Sequence, residues 1–368
     1  MTSLRSALLG LCIASAGFTA HGQIKIGQTT GVTGAVAATV KESSLGAQLY
    51  LDATNAKGGV NGEKIELITL DDKFDTKLAA ANARELIEQR GVLALFMTRG
   101  TPHTEGIIPL LDQHGVPLVA PSTGAMVLHQ PVKKHVFNVR ATYQREAERA
   151  ITHLAATGVN RIGVVHVDDS FGADGLEGTQ KGLAAAKLTA IAISKFDRSK
   201  PDFSQIAPAM AKLSPQAVMV IGSGTAVVDA IRALKAAGSG AQFVTLSNNA
   251  SGGFIKLLGD DARGVIVSQV LPQSQNYALV QEAATLAKTR DILEVSPAML
   301  EGFVSAKVLV EALRRAGPKP TREKLQAALE GLGKFDLGGL ILNFSTTDHT
   351  GLDFADLSII SASGKFRR

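Results

Sequence analysis

The sequence predicts an α/β protein of two lobes, each a parallel sheet wound by helices on both faces. Three observations carry that prediction. Short apolar runs alternate with amphipathic stretches along most of the chain, and such alternation implies parallel βαβ units with right-handed crossovers. The chain has 368 residues, more than a single core usually organises. The alternation also starts afresh after Tyr143 with no long linker, so the chain is expected to pass between the lobes more than once.

In the first half, strands are expected at 24–28, 64–70, 92–97 and 117–120, with helices at 45–55, 77–89 and about 106–113. Leu78, Ala81, Leu86 and Ile87 give the 77–89 segment one apolar face at helical spacing. In the second half, helices are expected at 145–156, 175–186, 203–213 and 225–237. They alternate with strands at 161–166, 189–196, 217–221 and 242–246. The segment 264–270 then leads to helices at 277–288, 297–316 and 322–331, and the tail returns to strand at 340–344 and 353–360. Two such lobes leave a cleft at the carboxyl ends of their strands, where open parallel sheets bind ligands.

The N-terminus reads as a secretory signal over residues 1–22: Arg5, an apolar run from Ala7 to about Phe18, then Ala20-His21-Gly22. The run is shorter than the roughly 20 residues a membrane span needs. Leu9-Gly10-Leu11 before Cys12 puts a bulky leucine where a lipidation signal wants a small residue. Cleavage before Gln23 removes Cys12, the only cysteine, so the remaining chain rests on its hydrophobic core rather than on disulfides. The formal charge of +5 is small and no dense Lys/Arg stripe is present, which argues against a nucleic-acid partner. No later segment is apolar enough to span a bilayer.

Five segments resemble one known family: Ile24-Lys25-Ile26-Gly27-Gln28, the run from Thr54 to Gly62 (TNAKGGVNG), Asp71-Asp72, Pro117-Leu118-Val119-Ala120-Pro121-Ser122, and Asp168-Asp169-Ser170-Phe171-Gly172. In this order and spacing they resemble the type I periplasmic solute-binding proteins of ABC importers, the leucine/isoleucine/valine-binding branch. The resemblance implies two Rossmann-like lobes with the ligand cleft between them. It implies residues 23–141 plus about 268–340 in one lobe, and 142–267 plus about 341–368 in the other. It further implies a monomer in the periplasm that hands a small molecule to an inner-membrane ABC permease, without cofactor or metal.

The resemblance also assigns candidate ligand residues. Thr98, Arg99, Gly100 and Thr101 match the loop whose amides and hydroxyls hold a ligand carboxylate, an anion site of the kind helix starts provide. Ser122, Thr123 and Gly124 match the second carboxylate loop. The family often has threonine where Gly124 stands, so Thr123 and backbone N–H groups are expected to serve there. Arg99 departs from the family: it either meets a carboxylate ligand or turns to solvent or to an aspartate. Phe171 stands where an aromatic covers the ligand, and reads equally as core. Tyr143, Ser223, Thr225 and Asn248 complete the set from the second lobe. Leu246-Ser247-Asn248-Asn249-Ala250 lacks the acidic residue that amino-acid binders place there, and Glu301 either supplies that charge or lies on a helix surface.

Enzyme signatures are missing. Gly222-Ser223-Gly224 is not a nucleophile elbow, and no Walker or Gly-x-Gly-x-x-Gly loop follows a strand. His166 before Asp168-Asp169 is read as a satisfied strand-end histidine, and Asp71-Asp72 as a turn rather than a metal site. The expected function is capture of a small carboxylate-bearing solute, either an amino acid or an organic or aromatic acid. A periplasmic sensor is the alternative, and a secreted enzyme on the same fold the remote one.

Overall fold

A computed structural model describes residues 22–367; the expected signal segment, apart from Gly22, and Cys12 lie outside them. Among the described residues no helix is long and apolar enough to cross a membrane.

The first sheet is built from β1 (Gln23–Thr30), β2 (Lys64–Asp71), β3 (Ala94–Phe96), β4 (Leu118–Val119) and β5 (Val136–Phe137). It is wholly parallel, in the order β2-β1-β3-β4-β5. Helices α1 (Ala37–Ala56), α2 (Thr76–Arg84), α3 (Thr101–Glu105) and α4 (Ile108–His114) connect its strands. The expected helix over 77–89 ends in a π turn at Glu85–Gln89, which keeps Leu86 and Ile87 buried.

The chain then crosses to the second lobe: α5 (Tyr143–Ala156), β6 (Ile162–Val167), α6 (Ser170–Ala185), β7 (Ala192–Phe196), α7 (Ile206–Lys212), β8 (Ala217–Ile221), α8 (Thr225–Ala236), β9 (Gln242–Thr245), α9 (Gly252–Leu258) and β10 (Ile266–Gln269). Its parallel strands run β7-β6-β8-β9-β10, the same winding as the first sheet. β6 and β8 are buried at every position, as expected of strands covered on both faces.

The chain returns to the first lobe through α10 (Ala278–Lys288), α11 (Pro297–Ala316), α12 (Arg322–Glu330) and the ribbon β11 (Gly333–Asp336)–β12 (Ile341–Phe344). It ends in the second sheet with β13 (Asp356–Ile360) and β14 (Phe366–Arg367), both antiparallel. The first lobe thus has a core on each face of its sheet: Leu86, Leu95 and Leu118 on one, and Phe96, Phe303 and Leu309 on the other. Leu342, Phe344 and Leu352 belong to this second core. We therefore propose that the last second-lobe segment begins after 352, rather than at about 341.

Caps set the entry angles of the helices around the cleft. Asp169 accepts from Phe171 N and Gly172 N at the start of α6. Thr142 accepts from Arg145 N at the start of α5, and Ser296 from Met299 N at the start of α11. Each satisfies amides that the first helical turn leaves unbonded.

Candidate functional site

The loops after β3 and β4, and after β6, β8 and β9, meet where the two sheets face each other. Two of them begin on strained backbone: Met97 has φ +50° and Ala120 φ +54°, though both carry side chains and are buried. Such left-handed non-glycine residues gather at functional sites.

The first lobe contributes a packed row of hydroxyls. Thr101 Oγ1 and Thr123 Oγ1 are 2.7 Å apart, both sealed from solvent. Thr98 bonds Thr104 Oγ1 at 2.9 Å, so its hydroxyl braces the loop. Gly100 precedes α3 with φ +92°. Gly124 sits against the crossover segment: a Cβ there would lie 2.6 Å from the Ala141 carbonyl oxygen and 3.0 Å from Tyr143 N. Threonine cannot stand at this position without moving the backbone.

Arg99 is buried. Its Nη1 donates to Ser122 Oγ at 3.0 Å, and its Nη2 donates across the cleft to the Asn248 carbonyl at 2.5 Å. The solvent-facing and Asp-paired alternatives are thereby excluded, and among the described residues Arg99 has no ion-pair partner. Burial lowers its pKa, an effect that Tyr143 and Glu301 oppose; a guanidinium nonetheless stays charged.

The second lobe supplies Tyr143 and Phe171, both buried, with ring centroids 4.8 Å apart. Phe171 belongs to that lobe's core and backs Tyr143, over whose ring the Arg140 guanidinium lies at 4.6 Å. Asn248 Nδ2 donates to Ser223 Oγ at 3.0 Å and to the Gly222 carbonyl at 2.9 Å. Thr225 is the outlier: its side chain is exposed, and only its amide takes part, donating to the Ala35 carbonyl of the other lobe at 3.1 Å.

Three buried charges escape a reading of the loops. Arg140, at the first crossover, pairs with Glu146, donates to Ser247 Oγ at 2.5 Å and lies 3.6 Å from Glu301. Burial disfavours the Arg140 charge, but Glu301 and Glu146 outweigh it and raise its pKa. Glu146 also accepts from Ser247 N at 2.9 Å and from Ser268. Glu301 is not on a surface: it is 9% exposed and accepts from Ser122 Oγ at 3.1 Å. Glu146 of α5 and Glu301 of α11 thus place two carboxylates beside Ser247 of the 246–250 loop, which carries none of its own. Of the three, only Glu301 was among the residues the sequence singled out; Arg140 and Glu146 bracket the crossover at Tyr143.

His166, Asp71 and Asp72 are accounted for locally. His166 Nδ1 bonds the Val167 carbonyl at 2.9 Å. Asp71 accepts from Thr33 and Lys73 N, and Asp72 from Thr29 and Phe74 N. Among the described residues no group of three or more His, Cys, Asp or Glu could hold a metal ion.

Known proteins share this architecture. A family model described as periplasmic binding protein matches residues 23–355. The Leu/Ile/Val-binding protein homolog 8 of Brucella suis biovar 1 is 27% identical over 213 residues, 55% of this chain and 53% of that protein. The match thus spans about half that relative's length. A possible leucine/isoleucine/valine-binding protein from Rhodopirellula baltica SH 1 superposes with a TM-score of 0.85 at 28% identity, covering 94% of this chain and 96% of that one. A substrate-binding periplasmic protein from Ralstonia solanacearum gives 0.83 at 32% identity, covering 93% and 99%.

Proposed function

The chain belongs to the periplasmic binding protein family, and from that premise we propose that it captures a small carboxylate-bearing solute by closure of its lobes and delivers it to an ABC permease. Its relatives are binding proteins rather than enzymes. The expected signal segment supports a periplasmic location.

The observation that carries the ligand class is Arg99, a buried cation that has no ion-pair partner among the described residues and spans the cleft from Ser122 to Asn248. A carboxylate arriving beside it takes up charge-assisted bonds from a desolvated guanidinium. The Thr101 and Thr123 hydroxyls stand on the same two first-lobe loops. Contacts from both lobes stabilise the closed state, which is what shifts the population on binding.

Charge balance favours an amino acid within this class. Arg99, Arg140, Glu146 and Glu301 are two buried cations and two buried carboxylates, so a zwitterion adds no net charge to a dry site. Glu301 offers an ammonium the partner that the 246–250 loop lacks.

The test is a thermal-shift screen of unfolded and refolded protein against amino acids, dicarboxylates, aromatic acids and neutral amides. A ligand at 100 times its Kd adds about 2.7 kcal/mol, enough for a shift of a few degrees. A shift for carboxylates is expected, and Arg99→Ala should reduce it while leaving any response to neutral amides unchanged. Equal loss for charged and neutral ligands would remove Arg99 from the carboxylate site.

A further inference from the structure

The loop after β2 turns on two successive non-glycine residues with left-handed backbone, Lys73 (φ +52°) and Phe74 (φ +61°). Residues with side chains rarely adopt this conformation, and it persists only where the surroundings fix it. Here Asp71 accepts from Lys73 N and Asp72 from Phe74 N, both at 2.9 Å. The turn so fixed holds an aromatic ring at the boundary between the lobes. Phe74 stacks on the buried His103 ring of α3, with centroids 4.4 Å apart and planes 15° from parallel. Both rings press on Gly100: a Cβ there would lie 2.6 Å from His103 Nδ1 and 3.0 Å from Phe74 Cε2. They therefore back the loop that carries Thr98, Arg99 and Thr101.

The second lobe meets this ring with a cation. Arg198, in the loop after β7, places its guanidinium over Phe74 at 5.0 Å from the ring centroid, inside the range of about 6 Å for cation–π attraction. Its Nε donates to Asp169 at 2.5 Å, and Asp169 in turn caps α6. The side chain is 21% exposed, and its Nη2 is buried without a hydrogen bond; desolvation of this kind strengthens the attraction. One residue beyond Asp169, Ser170 Oγ donates to Glu105 at 2.5 Å, from the start of α6 to the end of α3.

We propose that Phe74 and Arg198 form a clasp that holds the lobes together, acting on closure itself rather than through contact with the solute. Phe74 is fixed within its own lobe by the turn and by His103, and Arg198 within its own by Asp169, so little ordering is needed when the two meet. All of these groups belong to the protein, so the clasp works with the cleft empty as well as filled. It sets a population of closed protein in advance of binding, and a solute that binds the closed form gains affinity in proportion to that population. The clasp stands apart from the carboxylate reading, since no ligand takes part in it.

The experiment measures the distance between the lobes. Residues 23–368 contain no cysteine, so spin labels can be placed at Lys77→Cys on α2 and Ala184→Cys on α6, both exposed. Double electron–electron resonance then reads their separation in protein that has been unfolded and refolded, with no ligand added. The labelled parent should show a short-distance population, and at least half of it should move to longer distances in Arg198→Ala and in Phe74→Leu. Leucine keeps apolar packing against His103 and Gly100 but removes the aromatic face, which separates the clasp from support of the loop. The two substitutions together should shift no more than either alone, because they remove the same contact. Lys195→Ala, whose partner Asp168 lies in the same lobe, should leave the distribution unchanged. A single long distance in the labelled parent would overturn the proposal, as would variants that keep the parent's distribution. A shift in Arg198→Ala without one in Phe74→Leu would assign the effect to the α6 cap and overturn the clasp. An equal shift in Lys195→Ala would overturn it too, by showing that any loss of charge at this rim loosens the lobes.

Discussion

Thr101 and Thr123 place two buried hydroxyls 2.7 Å apart on the loops that follow adjacent strands. Because one hydroxyl can donate to the other, the pair would present a directed donor to the carboxylate proposed above. Thr101→Ala removes half of it and leaves the Thr123 hydroxyl with its partner gone. Ligand affinity should fall by about 1–3 kcal/mol, and Thr101→Ser should restore most of it; unchanged affinity in calorimetry would take this loop out of the site. Both threonines entered the sequence reading through their resemblance to the family's carboxylate loops, and they do lie just past the ends of β3 and β4. The charges around them were not legible. Arg140 and Glu146 read as ordinary members of a mixed-charge chain, since their burial depends on crossovers from distant parts of the sequence. Glu301 stayed open between the cleft and a helix surface, because an isolated amphipathic pattern assigns acids to the outside. Here Leu300, Glu301, Gly302 and Phe303 are consecutively buried, which a helix packed on several sides permits.

At the scale of elements, α11 is the keystone of the first lobe, and two glycines let it touch α1. A Cβ on Gly46 would lie 1.8 Å from the Met299 carbonyl oxygen, and one on Gly302 1.8 Å from that of Ser43. Both glycines sit mid-helix, where alanine would gain about 1 kcal/mol of intrinsic propensity. The overlap is with backbone, so the helices themselves must separate, a displacement that typically costs 1–3 kcal/mol or more. Gly46→Ala should therefore lower the urea midpoint despite its better propensity, and a raised midpoint would show the helices to be less closely packed. The long elements were legible: β8 spans 217–221 and α11 spans 297–316 as their apolar patterns predict. The short ones were not. Val136–Phe137 and Phe366–Arg367 are two-residue strands, too brief for any periodicity, and they exist because a neighbouring strand is there to pair with. Gly333–Asp336 and the seven-residue α9 are likewise set by their partners rather than by local pattern.

Across the whole molecule, the two lobes share one winding although no sequence repeat announces it, and closure is held by contacts between them that titrate. Asp174 of α6 accepts from Met126 N of the first lobe at 3.0 Å and from Gln144 at 2.8 Å. Burial raises its pKa from the usual 3.8 to about 6, against those hydrogen bonds. The folded chain thus binds this proton more tightly than the unfolded chain, so its contribution to stability is greatest in acid and is lost as pH rises from about 4 to about 6. His103 and His129 act in the opposite sense. Burial lowers both to about 4, the unfolded chain takes those protons first, and stability falls as pH drops from about 6.5 to 4. The opposing slopes hide one another in the wild type, so the variant must be compared with the wild type at each pH. Asp174→Asn keeps the acceptor for Met126 and Gln144 but removes the charge. Relative to the wild type it should be stabilised at pH 7.5, and that advantage should shrink by on the order of 2 kcal/mol at pH 4.5, read from urea unfolding at both values. A difference that does not vary with pH would mean that Asp174 stays ionised in the closed protein, and that water reaches the seam between the lobes.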